Sequence, residues 1–88
     1  MDISTTKTKL QEVADILYKG DVNLGMAKMG TVLPEIALIA SQITDEELRG
    51  RLINDALTPA LAAMENKDGT LLADIISYEL IEILDQVG

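Results

Sequence analysis

The chain contains no cysteine and no histidine. Without thiols it can form neither a disulfide nor a thiolate metal site. Without imidazole it lacks the commonest general base, the commonest metal ligand and the usual switch near neutral pH. Aromatics are nearly absent too: two Tyr, no Phe, no Trp. The core must then be Leu, Ile, Val, Met and Ala, which interdigitate well between helices. No apolar stretch approaches the roughly 20 residues of a membrane span. The N-terminus, Met1-Asp2-Ile3-Ser4-Thr5-Thr6, has no basic region leading into an apolar run, so no signal peptide is expected. These absences predict a cytoplasmic chain, not an enzyme, with no cofactor and no metal.

Basic charge is also scarce. Seven Lys and Arg face fifteen Asp and Glu, for a net charge of −8. Nucleic acid and anionic membranes both demand a basic face, so neither is an expected partner. The deficit is uneven: residues 1–28 are net neutral, 29–64 carry −3 and 65–88 carry −5. Such a surface serves solubility, and it also suits a basic protein partner.

What the chain does have is apolar surface: 48 % of its 88 residues are hydrophobic. That length makes one domain, residues 1–88, and a domain so short buries only about 60 % of its unfolded surface. Some apolar side chains must stay outside, where a partner or a second copy can cover them.

The pattern is helical throughout. Val22, Met26, Met29, Leu33, Ile36, Ala40 and Ile43 are spaced 4, 3, 4, 3, 4, 3, a heptad seam. A first helix is expected from Thr5 to Lys19, stopped by Gly20. Asp21 caps a second helix to Ile43, with Pro34 inside it. Thr44-Asp45-Glu46-Glu47 reads as a capping box with Thr44 as N-cap. The third helix runs to Asn66, with Leu48, Leu52, Ile53, Ala56, Leu57, Ala60, Leu61 and Met64 inward and Pro59 inside. Asp68 caps a fourth, whose stripe is Leu72, Ile76, Leu80, Ile83, Leu84 and Val87. Each proline removes a backbone hydrogen bond and predicts a kink. The expected fold is all-α: an antiparallel four-helix bundle of two hairpins, kinked at Pro34 and Pro59. The halves also align at an offset of 47, pairing Asp21 with Asp68 and Leu24 with Leu71.

Several sites fail on their own residues. An acyl carrier protein needs an Asp-Ser-Leu motif, and Ser4, Ser41 and Ser77 all lack it. Asn66-Lys67-Asp68-Gly69 resembles the centre of an EF-hand loop, but Met64 and Ile75 would fall on its first and last ligand positions. Asp74, Glu79, Glu82 and Asp85 give helix 4 an acidic face without the His that di-iron bundles use. Gly25 and Gly30 lack the lysine of a phosphate loop. With Ala27, Ala37 and Ala40, they suit close helix approach. Arg49 and Arg51 suit ion pairs with Asp45, Glu46 or Asp55, or with a partner's carboxylate. Tyr18-Lys19-Gly20-Asp21 resembles the inter-helix turn of tetratricopeptide repeats, but that family repeats every ~34 residues.

The stretch Ala63-Met64-Glu65-Asn66-Lys67-Asp68, with Leu71-Leu72-Ala73-Asp74-Ile75 and Tyr78-Glu79-Leu80, resembles segments of small uncharacterised helical proteins of Gram-positive bacteria. The resemblance implies an all-helical fold and a bacterial origin, and no activity.

Helix 4 is apolar over more than half its circumference, so Leu71, Ile75, Tyr78 and Ile81 are the expected partner-binding face. The functional expectation is a non-catalytic protein–protein interaction module: a small acidic adaptor, regulator or chaperone-like protein that forms a homodimer. The alternative is an acidic inhibitor or mimic of a basic protein's ligand. A small carrier or enzyme ranks below both.

Overall fold

The computed structural model describes residues 3–87. Among the described residues all regular structure is helical, and four helices pack together. Helix α1 is Ile3–Tyr18 and α2 is Val22–Gln42. Helix α3 covers residues 46–65 in three parts: α-helix Glu46–Gly50, a π-helical stretch Arg51–Leu57 and α-helix Thr58–Glu65. Helix α4 covers 69–87 likewise, as Gly69–Ile75, a π stretch Ile76–Leu80 and Ile81–Val87. α1 packs along both α2 and α4, while α3 packs along α4.

The two turns at the ends of α1 and α3 are the same structure, 47 residues apart. In the first, Gly20 N–H donates to the Leu17 carbonyl at 3.0 Å and Asp21 N–H to Ile16 at 3.2 Å. In the second, Lys67 N–H donates to Met64 at 3.1 Å and Asp68 N–H to Ala63 at 2.8 Å. This is the Schellman closure, which leaves one residue in the left-handed region. Gly20 fills that position at φ 92° and Lys67 at φ 53°. Each turn then hands over to a capping aspartate. Asp21 accepts from Leu24 N–H and Asp68 from Leu71 N–H.

The third cap differs from expectation. Asp45, not Thr44, is the N-cap of α3: its carboxylate accepts from Glu47 N–H at 3.0 Å and Leu48 N–H at 3.2 Å. The shorter acidic side chain one residue on reaches two exposed amides, and Glu47 contributes its backbone amide to that cap. Arg49 and Arg51 also differ. Arg49 donates to the Ile43 carbonyl and Arg51 to Gln86 Oε1. Neither makes an ion pair among the described residues.

The core is aliphatic. Leu10, Met29, Ile36, Leu52, Leu72, Ile76, Leu80, Ile83 and Leu84 are fully buried. On α2 the buried residues are Gly25, Met29, Val32, Ile36, Ile39 and Ala40, with Ile43 at the C-cap, so Met29, Ile36, Ala40 and Ile43 of the expected heptad are inward and Gly25, Val32 and Ile39 shift the seam to one side. Val22, Met26 and Leu33 are half-buried on its flank. On α3, Leu52, Ala56, Ala60 and Ala63 are buried, whereas Ile53 and Leu61 face solvent. The reason is the spacing. Apolar residues four apart drift by about 40° per step on a 3.6-residue helix. The wider π turn absorbs that drift, keeping 52, 56 and 60 inward and turning 53 and 61 outward. Pro59 stands just after this π stretch, where Thr58 N–H bonds Ile53 five residues back. A proline ring collides with the carbonyl four residues before it, and a widened turn relieves that. Pro34 lies within α2, which stays α-helical on both sides of it.

Thr6 is the one buried polar side chain among the described residues. Its hydroxyl donates to Glu35 Oε1 at 3.0 Å, and Lys9 Nζ donates to Glu35 Oε2 at 2.7 Å. Lys9 first and Thr6 second hold the Glu35 carboxyl below the usual glutamate range.

Two glycines of α2 separate packing from propensity. A Cβ on Gly25 would stand 2.4 Å from Leu17 Cδ2 and 2.6 Å from its Cγ, while one on Gly30 would meet nothing. Gly25→Ala is expected to cost about 1–3 kcal/mol through overpacking. Gly30→Ala is expected to stabilise by up to about 1 kcal/mol through helix propensity. Urea unfolding of both variants checks the pair. The turns give a second contrast of the same kind. Lys67→Gly is expected to raise the unfolding free energy read from urea titration and Gly20→Ala to lower it, each by about 1 kcal/mol, since only glycine takes a left-handed φ without strain.

Candidate functional site

The chain's two aromatic side chains are both exposed. Tyr18 ends α1, and its phenol donates to Asp74 Oδ1 on α4 at 2.7 Å. Ser77 lies beside the same phenol and Tyr78 is its near neighbour. The Asp74 carboxylate accepts from the neutral phenol, and this is the main cause that raises the Tyr18 pKa above its usual value. Tyr78 is 68 % exposed and Leu71, two helical turns earlier on the same helix, 46 %. Tyr18, Leu71 and Tyr78 are thus three large exposed side chains, and the Tyr18 hydroxyl is oriented by Asp74 of α4.

The expected partner face on α4 is divided by the structure. Leu71 and Tyr78 are exposed. Ile75 is only 8 % exposed and belongs to the core, because α1 packs along residues 69–75 and covers it. Ile81 is half-buried against the core. Tyr18 replaces them at the surface. Nothing in the sequence pairs it with Asp74, which lies 56 residues away.

A second apolar surface belongs to α2. Leu24, Ala27, Thr31, Pro34, Leu38 and Ser41 are all exposed and are spaced 3, 4, 3, 4, 3. None is charged. α2 contains two charged residues, Lys28 and Glu35. By length and composition it is apolar enough to cross a membrane, and one-third of its most apolar window is buried. The sequence reading missed this because it counted unbroken apolar runs, and these two charges break the run. Among the small residues expected to allow close approach, Gly25 and Ala40 are buried, while Ala27, Gly30 and Ala37 face outward.

Polar clefts are shallow. One is lined by Asp45, Glu47, Leu48, Arg51 and Gln86, where α3 begins and α4 ends. No group of three or more Asp and Glu side chains is placed to hold a metal ion among the described residues.

The helices and the exposed patches define a small all-helical domain whose distinctive surface features are apolar. A family model described as a domain of unknown function, DUF8042, matches residues 2–87, so the chain belongs to that family. No curated protein and no solved structure matches it.

The Tyr18–Asp74 contact is sensitive to base. A raised phenol pKa means the contact's contribution is present below the usual tyrosine value and is lost as pH rises through the raised one. Asp74→Asn is expected to return the Tyr18 titration toward its usual range. An ultraviolet titration of the Tyr78→Phe protein, with and without Asp74→Asn, reads this directly.

Proposed function

We propose that the chain is a non-catalytic protein–protein interaction module, an adaptor, regulator or chaperone-like protein, working in the cytoplasm of a bacterium. The observation that carries this reading is the exposure of both aromatics together with Leu71. A core that uses no aromatic leaves its two tyrosines outside, and exposed tyrosine anchors are the side chains that dominate protein interfaces. In the proposed scaffold the helices form an antiparallel bundle of two hairpins, with α2 and α3 bent at Pro34 and Pro59. Three cross-helix ties support that arrangement: Lys7 to Asp85, Tyr18 to Asp74 and Arg51 to Gln86. From the first tie to the second, the residue numbers rise along α1 as they fall along α4.

A second reading is capture of a basic protein by charge. It is favoured by Glu79 and Glu82, which are exposed on α4 and make no ion pair among the described residues.

A photo-cross-linker placed at Tyr78 tests the leading reading in cells. A defined adduct is expected, lost in Leu71→Asp and retained in Leu61→Asp, with helical circular dichroism unchanged in both. Equal adducts in the two variants would overturn it. If the captured protein is basic and is released between about 50 and 300 mM salt, the charge reading takes precedence, because screening acts on exposed charge contacts.

A further inference from the structure

The outward seam of α2 is a heptad without a partner. Leu24, Ala27, Thr31, Pro34, Leu38 and Ser41 continue for most of the helix on the side away from the core. Leu24 is 45 % exposed and Leu38 52 %. A 3, 4 alternation on a helix face is the pattern that accepts another helix. Lipid fits it less well. A helix that lies in a membrane surface shows bulky apolar residues on one face and Lys and Arg on the other. This face has small residues at four of its six positions, and the chain as a whole is acidic.

The face is also complementary to itself. Leu24 and Leu38 stand seven residues either side of Thr31. Ala27 and Pro34 lie four before and three after it. Lys28 and Glu35 are the two charges of α2. They share one edge of the face and sit three residues before and four after Thr31. In an antiparallel pair with its two-fold axis at Thr31, Leu24 meets Leu38 of the other copy. Lys28 then approaches the part-exposed Glu35 carboxylate of the other copy, twice, beside the Thr6 and Lys9 that Glu35 already bonds within its own chain. In a parallel pair the edge that carries Lys28 and Glu35 lies opposite the uncharged edge of the other copy, so neither ion pair forms. Lys28 makes no ion pair among the described residues. Elsewhere two copies of net charge −8 repel.

We infer that α2 is a homodimerisation helix, and that a second copy of this chain covers it in antiparallel register about Thr31. The inference deepens the interaction-module reading by naming one partner. It uses a different helix from Tyr18, Leu71 and Tyr78, so each can fail alone.

The test is native mass by light scattering on a sizing column, at two concentrations about a hundredfold apart, since dimer population follows concentration. The expected mass at the higher concentration is twice the 9.5 kDa of the chain. Leu38→Glu is expected to halve it, and Leu61→Glu, an equally exposed position on α3, to leave it unchanged. Because the chain lacks cysteine, register is read by single introductions. Thr31→Cys is expected to give a disulfide-linked dimer, and Leu24→Cys mixed with Leu38→Cys to cross-link faster than either does with itself. Chain mass at both concentrations would overturn the inference. So would a dimer that survives Leu38→Glu, or faster self-linking of Leu24→Cys, which marks a parallel pair. A monomer that pellets with phosphatidylcholine vesicles, and stops doing so as Leu38→Glu, would give the face to lipid and overturn it too.

Discussion

The fold turns on the space around Leu17. Here the end of α1 meets the starts of both α2 and α4. Gly25 lies so close that its α-hydrogen occupies what a side chain would need, with Leu17 Cδ2 within 2.4 Å of the missing Cβ. Gly69 stands in the same relation to Val22, at 2.9 Å, and is 3.4 Å from Leu17 by the same measure. One buried leucine thus sets the spacing of three helices. It can do so because the turns before α2 and α4 are closed identically and each ends on a capping aspartate. The caps fix where each helix begins, and so where each glycine falls. An 88-residue chain has little core to spare, so a local geometry that places two helix starts without further contacts is an efficient constraint.

Local signals were legible in the sequence and non-local ones were not. Gly20, Asp21 and Asp68 announce the turns because a cap depends on residues within four positions of it. The stripe of α4 was legible as well, since Leu72, Ile76, Leu80, Ile83 and Leu84 are all buried. The α2 seam came out shifted to one side because Gly25 has no hydropathy to count, although it is the closest contact on that face. The π stretches left a readable trace: runs of apolar residues four apart at 48, 52, 56 and 60, and at 72, 76, 80 and 84. A constant spacing of four fits neither an α-helix nor a heptad, and the wider turn is how the backbone keeps such a run on one side. Taking those runs as ordinary helix put Ile53 and Leu61 inside. The same habit made Ile75 part of a surface. Leu71 and Tyr78 were legible as outward positions of α4, but the tie of Tyr18 to Asp74 was out of reach, because it joins helices paired only in the folded chain.

Polar contacts choose among packings more than they hold them. Lys7–Asp85, Lys9–Glu35 and Tyr18–Asp74 all lie at least partly in solvent. Exposed pairs of this kind contribute little stability each. Their value is positional: each joins a residue of α1 to a different helix or a different height. Thr6 adds the one polar side chain taken fully inside among the described residues, and Glu35 satisfies it. With no aromatic in the core, the interior has only aliphatic shape to specify its partners, so these surface ties carry a share of the discrimination between helix pairings.

The contrast between α1 and α2 is the strongest argument that the apolar exterior has a purpose. Both flank the same core. α1 turns Thr8, Lys9, Gln11, Glu12 and Asp15 to solvent, as a helix does when one face is buried and the other only has to be wet. α2 turns out Leu24, Ala27, Thr31, Pro34, Leu38 and Ser41. Solubility cannot account for that difference, because the same chain places acids freely on α4 and at the start of α3. Core packing cannot account for it either, because the α2 seam that serves the core lies on the opposite side. A helix with an uncharged seam on each side satisfies one of them within the chain and leaves the other exposed.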